Sequence, residues 1–183
     1  MRIALASGSP RRRELMSLAG FDFDIIIPDV DETVPDGYSP EEAVSHLSKL
    51  KAEAVFEQNS GYDVIVAADT VVAVDGVILG KPKDYDNAYK MLRMLSGRAH
   101  SVFTGVTVIK GKDINTFFCK SDVVFYDLSE DEINAYLATN EYCDKAGSYG
   151  IQGKGCVLVK EIHGDYFNIV GLPIAQTARI IRK

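Results

Sequence analysis

Short apolar runs of two different periods alternate along this chain. Ile3-Ala4-Leu5-Ala6 reads as a buried strand, and it ends in the small polar turn Ser7-Gly8-Ser9. Pro10 follows and suits a first helical position, because its missing N–H would be unpaired there anyway; a helix is predicted from Pro10 to about Ala19. Phe21 to Ile27 alternates apolar and polar and then becomes fully apolar, which predicts a strand. Ser39-Pro40-Glu41-Glu42 supplies an N-cap, a first-turn proline and a capping-box glutamate, so a helix should run to about Gln58. Its apolar stripe is Val44, Leu47, Ala54 and Val55. Lys51 falls on that stripe, where a charged side chain must snorkel out or meet an anion.

Val64 to Ala68 is continuous and β-branched, as expected for a strand covered on both faces, and it ends in Asp69-Thr70. Val71 to Val74 and Val77 to Leu79 flank the hairpin signal Asp75-Gly76. Asp84 caps a helix to about Ser96, with Gly97 as its terminator. Ser101 to Ile109 and Thr116 to Tyr126 predict a long hairpin through Gly111. Ser129 and Glu132 form a second capping box for a helix ending near Thr139. A polar, glycine-rich loop occupies residues 144–153. Cys156 to Ile162 and Tyr166 to Val170 are expected to pair around Gly164-Asp165, and Pro173 starts a closing helix through Ile181. With no repeat, linker or low-complexity tract, residues 1–183 read as one α/β domain with a mixed sheet.

At 183 residues the chain can bury a core without disulfide or metal staples. The net charge of −6 argues against wrapping a nucleic-acid polymer, though not against a small phosphorylated ligand in a locally basic cleft. Cys119, Cys143 and Cys156 form no CxxC pair, and His46, His100 and His163 show no metal-ligand pairing. No apolar run approaches a membrane span, and the chain reaches its polar turn at Ser7 too soon for a signal peptide, so a cytoplasmic protein without membrane contact is expected.

The candidate chemistry lies in scattered polar groups. Ser7, the amides of the turn after it, and Arg11 and Arg12 at a helix N-terminus suit an anion such as phosphate. A carboxylate at the end of a buried strand, Asp69, must be hydrogen-bonded, paired or metal-bound. With Glu32, Lys51, Lys81 and Lys145, cations outnumber carboxylates, the balance expected for a nucleoside triphosphate held with a divalent ion on Asp69 and Glu32. Neither a GxxxxGK[ST] loop nor a GxGxxG turn is present. Spacing alone stops at an enzyme for a phosphorylated ligand.

Ser7-Gly8-Ser9-Pro10-Arg11-Arg12, Ala67-Ala68-Asp69-Thr70, Gly80-Lys81-Pro82, Leu95-Ser96-Gly97-Arg98, the stretch from Asp144 to Gly153, and Gly171-Leu172-Pro173 closely resemble the Maf family of nucleoside triphosphate pyrophosphatases. The blocks occur in family order and span nearly the whole chain. The resemblance implies a single elongated α/β domain, a mixed twisted sheet flanked by helices around a central cleft, similar to inosine triphosphate pyrophosphatases. It implies cleavage between the α and β phosphates, a divalent cation such as Mg²⁺ or Mn²⁺, and a homodimer as an option. Asp69 then corresponds to the proton acceptor, Arg11, Thr70 and Gln152 to substrate-selecting positions, and Arg12, Glu32, Lys51 and Lys81 to other polar cleft positions. Tyr149-Gly150-Ile151-Gln152-Gly153 looks like the branch acting on dTTP and UTP. The glutamine amide complements the O4 acceptor and N3–H donor of uracil or thymine, although the same amide can pair with adenine. A nucleotide-binding regulator of septum formation and a 7-methyl-GTP pyrophosphatase are the alternative readings.

Overall fold

The computed structural model describes residues 1–59 and 61–183. In chain order its elements are β1 (Ile3–Ala6), α1 (Pro10–Leu18), β2 (Asp24–Ile25), α2 (Pro40–Gln58), β3 (Val64–Val74), β4 (Val77–Leu79), α3 (Tyr85–Leu95), β5 (Ala99–Lys110), β6 (Asp113–Phe125), α4 (Glu130–Leu137), β7 (Val159–His163), α5 (Tyr166–Val170) and α6 (Ile174–Arg182). Two short 3₁₀ segments, Ala146–Ser148 and Gly153–Leu158, lie in the glycine-rich region before β7. One seven-stranded sheet runs β2-β1-β3-β5-β6-β7, with β4 added to β3. β1 pairs in parallel with both β2 and β3, and the remaining pairings are antiparallel, so the sheet is mixed as expected.

Strand alternation divides the core. Val64, Val66, Ala68, Val72 and Val74 join the main cluster with residues of α1, α3, α4 and α6, whereas Ile65 and Ala67 meet Ala52 and Val55 of α2 on the opposite face. Val71, Ala73 and Phe103 pack with Val44, also of α2. Helix α2 comes in close because Gly105 lies beneath it: a Cβ there would stand 2.2 Å from the Val44 carbonyl oxygen. This seating places Lys51 over the sheet.

Several expectations need correction. Val64–Val74 is one strand, so Asp69 and Thr70 lie inside it rather than at its end. β5 pairs with it without interruption, which keeps the backbone extended through the polar pair. Of Phe21 to Ile27 only Asp24–Ile25 is strand, where β1 offers partners. The last hairpin does not form: β7 pairs with β6, and Tyr166–Val170 is a helix whose first turn is capped by Asp165, which accepts from the Phe167 amide at 2.8 Å.

Candidate active site

One edge of β3 is covered by β5 along its length; the other is shared. β1 pairs with residues 64–67 and β4 with residues 72–74, leaving residues 68–71 without a strand partner on that edge among the described residues. Asp69 and Thr70 occupy this opening, and their side chains leave opposite faces of the strand. The turn after β1 and the start of α1 lie beside the opening. The result is a two-part cleft around one interruption in the sheet.

On the α2 face, a cleft is lined by Ser7, Gly8, Arg11, Glu32, Lys51, Asp69, Lys81 and Asp144. Lys51, whose side chain is 8% exposed, donates to Asp69 Oδ1 at 2.6 Å and to Glu32 Oε2 at 2.8 Å. The charge on the apolar stripe has therefore met two anions. On the other face, a cavity is lined by Val72, Val102, Tyr149, Ile151, Ile169 and Val170, with Thr70, Lys145 and Gln152 among its polar groups. Ser9, Arg11 and Arg12 line both compartments and join them.

Arg12 is the internal strut of the site. Its Nε donates to the Gly171 carbonyl at 2.8 Å, one terminal nitrogen to Ser7 Oγ at 3.3 Å and the other to Thr70 Oγ1 at 3.1 Å. Burial lowers its pKa from the usual guanidinium value, opposed by the Asp69 charge. The Ser9 amide also donates to Ser7 Oγ, at 3.2 Å. Both Ser7 lone pairs are thus occupied, and what its hydroxyl offers the cationic compartment is its proton. Helix α1 contributes further: Ser9 makes no side-chain cap, unlike the capped starts of α2, α3 and α4, so its first amides are open to an anion.

Asp144 gathers the cations at the mouth of the cleft, accepting from Lys145 at 2.6 Å and from Arg11 at 3.4 Å. Partial burial works against its ionised form, but the hydrogen bond and charge of Lys145, with Arg11, hold the carboxyl below the usual range. The loop carrying Gln152 is pinned by aromatic groups. Tyr149 OH lies 2.7 Å from His100 Nε2, its ring packs edge-on against Phe125, and Tyr136 OH accepts from the Gly150 amide at 3.2 Å. Burial pushes the Tyr149 phenol well above its ordinary pKa, raises Tyr136 to about 12 and lowers His100 to about 4. Gly147, at φ +67°, donates to the Gly80 carbonyl at 3.1 Å and ties this loop to the segment bearing Lys81.

Every candidate named from sequence lines one of the two compartments: Ser7, Glu32, Lys51, Lys81 and Asp69 on the α2 face, Thr70, Lys145 and Gln152 on the other, Arg11 and Arg12 at the junction. Sequence reasoning assigned no role to His100, and treated Asp144 only as part of a motif. Among the described residues no group of three or more His, Cys, Asp and Glu converges as a metal cage. Glu32 and Asp69 do converge on one cation, the Lys51 ammonium. These two carboxylates offer the hard oxygen donors that would suit a divalent ion.

Fold and cleft together define an α/β protein built around a two-compartment site, and the same fold occurs in the Staphylococcus aureus Ham1 protein, at a TM-score of 0.52 and 18% identity over 87% of this chain and 80% of that one. The model of the Maf-like protein family matches residues 2–183, and the chain belongs to that family. It is 48% identical over 182 residues to a protein of Bacillus thuringiensis subsp. konkukian named dTTP/UTP pyrophosphatase, covering 100% of this chain and 95% of that one. A protein of Bacillus cereus strain B4264 with the same name is 47% identical over the same coverage. No helix among the described residues is long and apolar enough to cross a membrane.

Proposed function

We propose that this chain hydrolyses dTTP and UTP to the monophosphate and pyrophosphate, acting in the cytoplasm on the free nucleotide pool. The carrying observation is the junction at Arg11 and Arg12 between an apolar compartment with Thr70 and Gln152 and a cationic one with Asp69, Lys51 and Lys81. A triphosphate laid across it puts its base in the first and its β and γ phosphates in the second. The α phosphorus then lies at the junction, which selects the bond between α and β phosphates.

The chemistry follows from the side chains. Asp69 Oδ1 is held by Lys51, and its second oxygen accepts from no protein donor among the described residues. That oxygen takes the proton of a water attacking the α phosphorus as the bond to the bridging oxygen breaks. Lys51, Lys81 and Arg11 neutralise charge growing on the leaving pyrophosphate, and the Ser7 hydroxyl donates to a phosphate oxygen. A Mg²⁺ or Mn²⁺ ion held by Glu32 and Asp69 would add charge neutralisation at the phosphates. In the other compartment Gln152 presents an acceptor and a donor side by side to O4 and N3–H of a uracil or thymine ring.

Pyrophosphate release from dTTP, UTP, CTP, GTP and 7-methyl-GTP, with Mg²⁺ or Mn²⁺, tests the reading against Asp69→Asn. Hydrolysis of dTTP and UTP that the variant loses is the expected result. Binding without turnover of any triphosphate would overturn the enzyme and leave a nucleotide-binding regulator.

A further inference from the structure

Thr104 of β5 stands directly opposite Thr70 in the register of β3 and β5 and is completely buried. Its Oγ1 donates to the main-chain carbonyl of Asn168 at 2.9 Å and lies 2.9 Å from Thr70 Oγ1. A carbonyl cannot donate, so the hydrogen between Thr104 and Asn168 is the single hydroxyl proton that Thr104 owns. Two oxygens at that separation repel unless a hydrogen lies between them, so the hydrogen in the Thr70–Thr104 contact belongs to Thr70. Arg12 fills one lone pair of the Thr70 oxygen at 3.1 Å. Thr70 therefore keeps one lone pair, and no proton, for the nucleoside compartment it lines.

We infer that Thr104, a residue no ligand reaches, fixes the polarity of Thr70 and so acts as a positioning residue for base selection. An acceptor-only Thr70 gives N3–H of uracil or thymine a second acceptor beside the Gln152 amide oxygen, and opposes the bare N3 lone pair of cytosine. The relay is anchored. The Asn168 side chain, fully buried, donates to the Val102 carbonyl at 3.0 Å and to Ser121 Oγ at 2.9 Å, and the main-chain carbonyl of Asn168 also accepts from the Gly171 amide at 3.0 Å. Ser7 has the opposite polarity, with its lone pairs filled and its proton free. Arg12 contacts both hydroxyls, so one guanidinium sits between a donor aimed at phosphate and an acceptor aimed at base.

This inference rests on the pyrimidine-triphosphate reading, and its test separates the two. The ratio of kcat/KM for UTP to that for CTP is measured in wild type, Thr104→Val, Thr104→Ser and Thr70→Val, with folding checked by circular dichroism. Thr104→Val removes the acceptor for the Thr70 proton and frees that hydroxyl to donate. The ratio should fall about tenfold, partly by a gain for CTP, while Thr104→Ser keeps the wild-type ratio and Thr70→Val lowers UTP turnover without raising that of CTP. An unchanged ratio in folded Thr104→Val overturns the inference; if that variant does not fold, an unchanged ratio in Thr70→Val does so. The same comparison by binding of UMP and CMP decides the matter even if wild type hydrolyses neither triphosphate, a result that would sink the functional reading alone.

Discussion

Lys51 Nζ stands 2.6 Å from Asp69 Oδ1, and the two side chains are only 8% and 12% exposed. They come from different layers, α2 and the sheet, so the ion pair is made by the packing of the helix on β3. The pair is also unequal. Lys51 has a second partner in Glu32, whereas Asp69 accepts from Lys51 alone among the described side-chain donors.

That inequality separates two variants. Lys51→Met leaves Asp69 as a buried carboxylate without its hydrogen-bonded counter-charge and should lower unfolding free energy by about 3 kcal/mol in urea titrations. Asp69→Asn leaves Lys51 with Glu32 and should cost much less stability while reducing pyrophosphate release by about 10³-fold or more. Equal stability losses would contradict the assignment of partners.

Arg12→Lys should not behave as a conservative change. One ammonium cannot reproduce a fork that holds Gly171, Ser7 and Thr70 at once. Turnover of dTTP and UTP should fall about 10²-fold and stability by about 2 kcal/mol, measured by pyrophosphate release and urea unfolding.

Gln152→Glu replaces a donor-and-acceptor amide with an acceptor-only carboxylate facing the same compartment. The expected outcome is a loss of about 10- to 100-fold in kcat/KM for dTTP and UTP, with GTP improved relative to them, since guanine offers adjacent N–H donors. A steady-state comparison of the three nucleotides reads this directly.

His100 links stability to pH. Burial lowers its pKa from 6.5 to about 4, so the unfolded chain binds a proton at this site more readily than the folded one. The stabilising effect of keeping the ring neutral is complete above about pH 6.5 and is lost as pH falls toward 4, on the order of 3 kcal/mol in all. His100→Gln should flatten that part of the stability profile; the difference between the two proteins isolates the histidine from the carboxylates.

Gly105→Ala places a methyl group 2.2 Å from the Val44 carbonyl oxygen, a backbone atom. Helix α2 must lift, at a cost of about 3 kcal/mol, and Lys51 moves with it. Thermal unfolding and pyrophosphate release should both decline.

Much of this site could be read along the chain because its members break local rules. Lys51 interrupts an apolar stripe, and Arg11 and Arg12 crowd the positive end of a helix. Asp69-Thr70 interrupts an apolar strand, which made it look like a strand end. The backbone continues through because β5 supplies a partner to every residue there, information held in a distant segment. Tyr166–Val170 is five apolar and polar residues that suit either period, and the cap from Asp165 decides it. Thr104 gave no sign at all. It is one hydroxyl among alternating strand residues, and only the cross-strand register shows what lies against it.

Open sheet edges attract other strands, and proteins normally shorten, charge or cover them. The interruption at residues 68–71 is an edge of another kind, hemmed in by β1 on one side and β4 on the other. No invading strand has room to lie down there, so the chain can leave backbone groups beside Asp69 and Thr70 without a strand partner and without inviting aggregation.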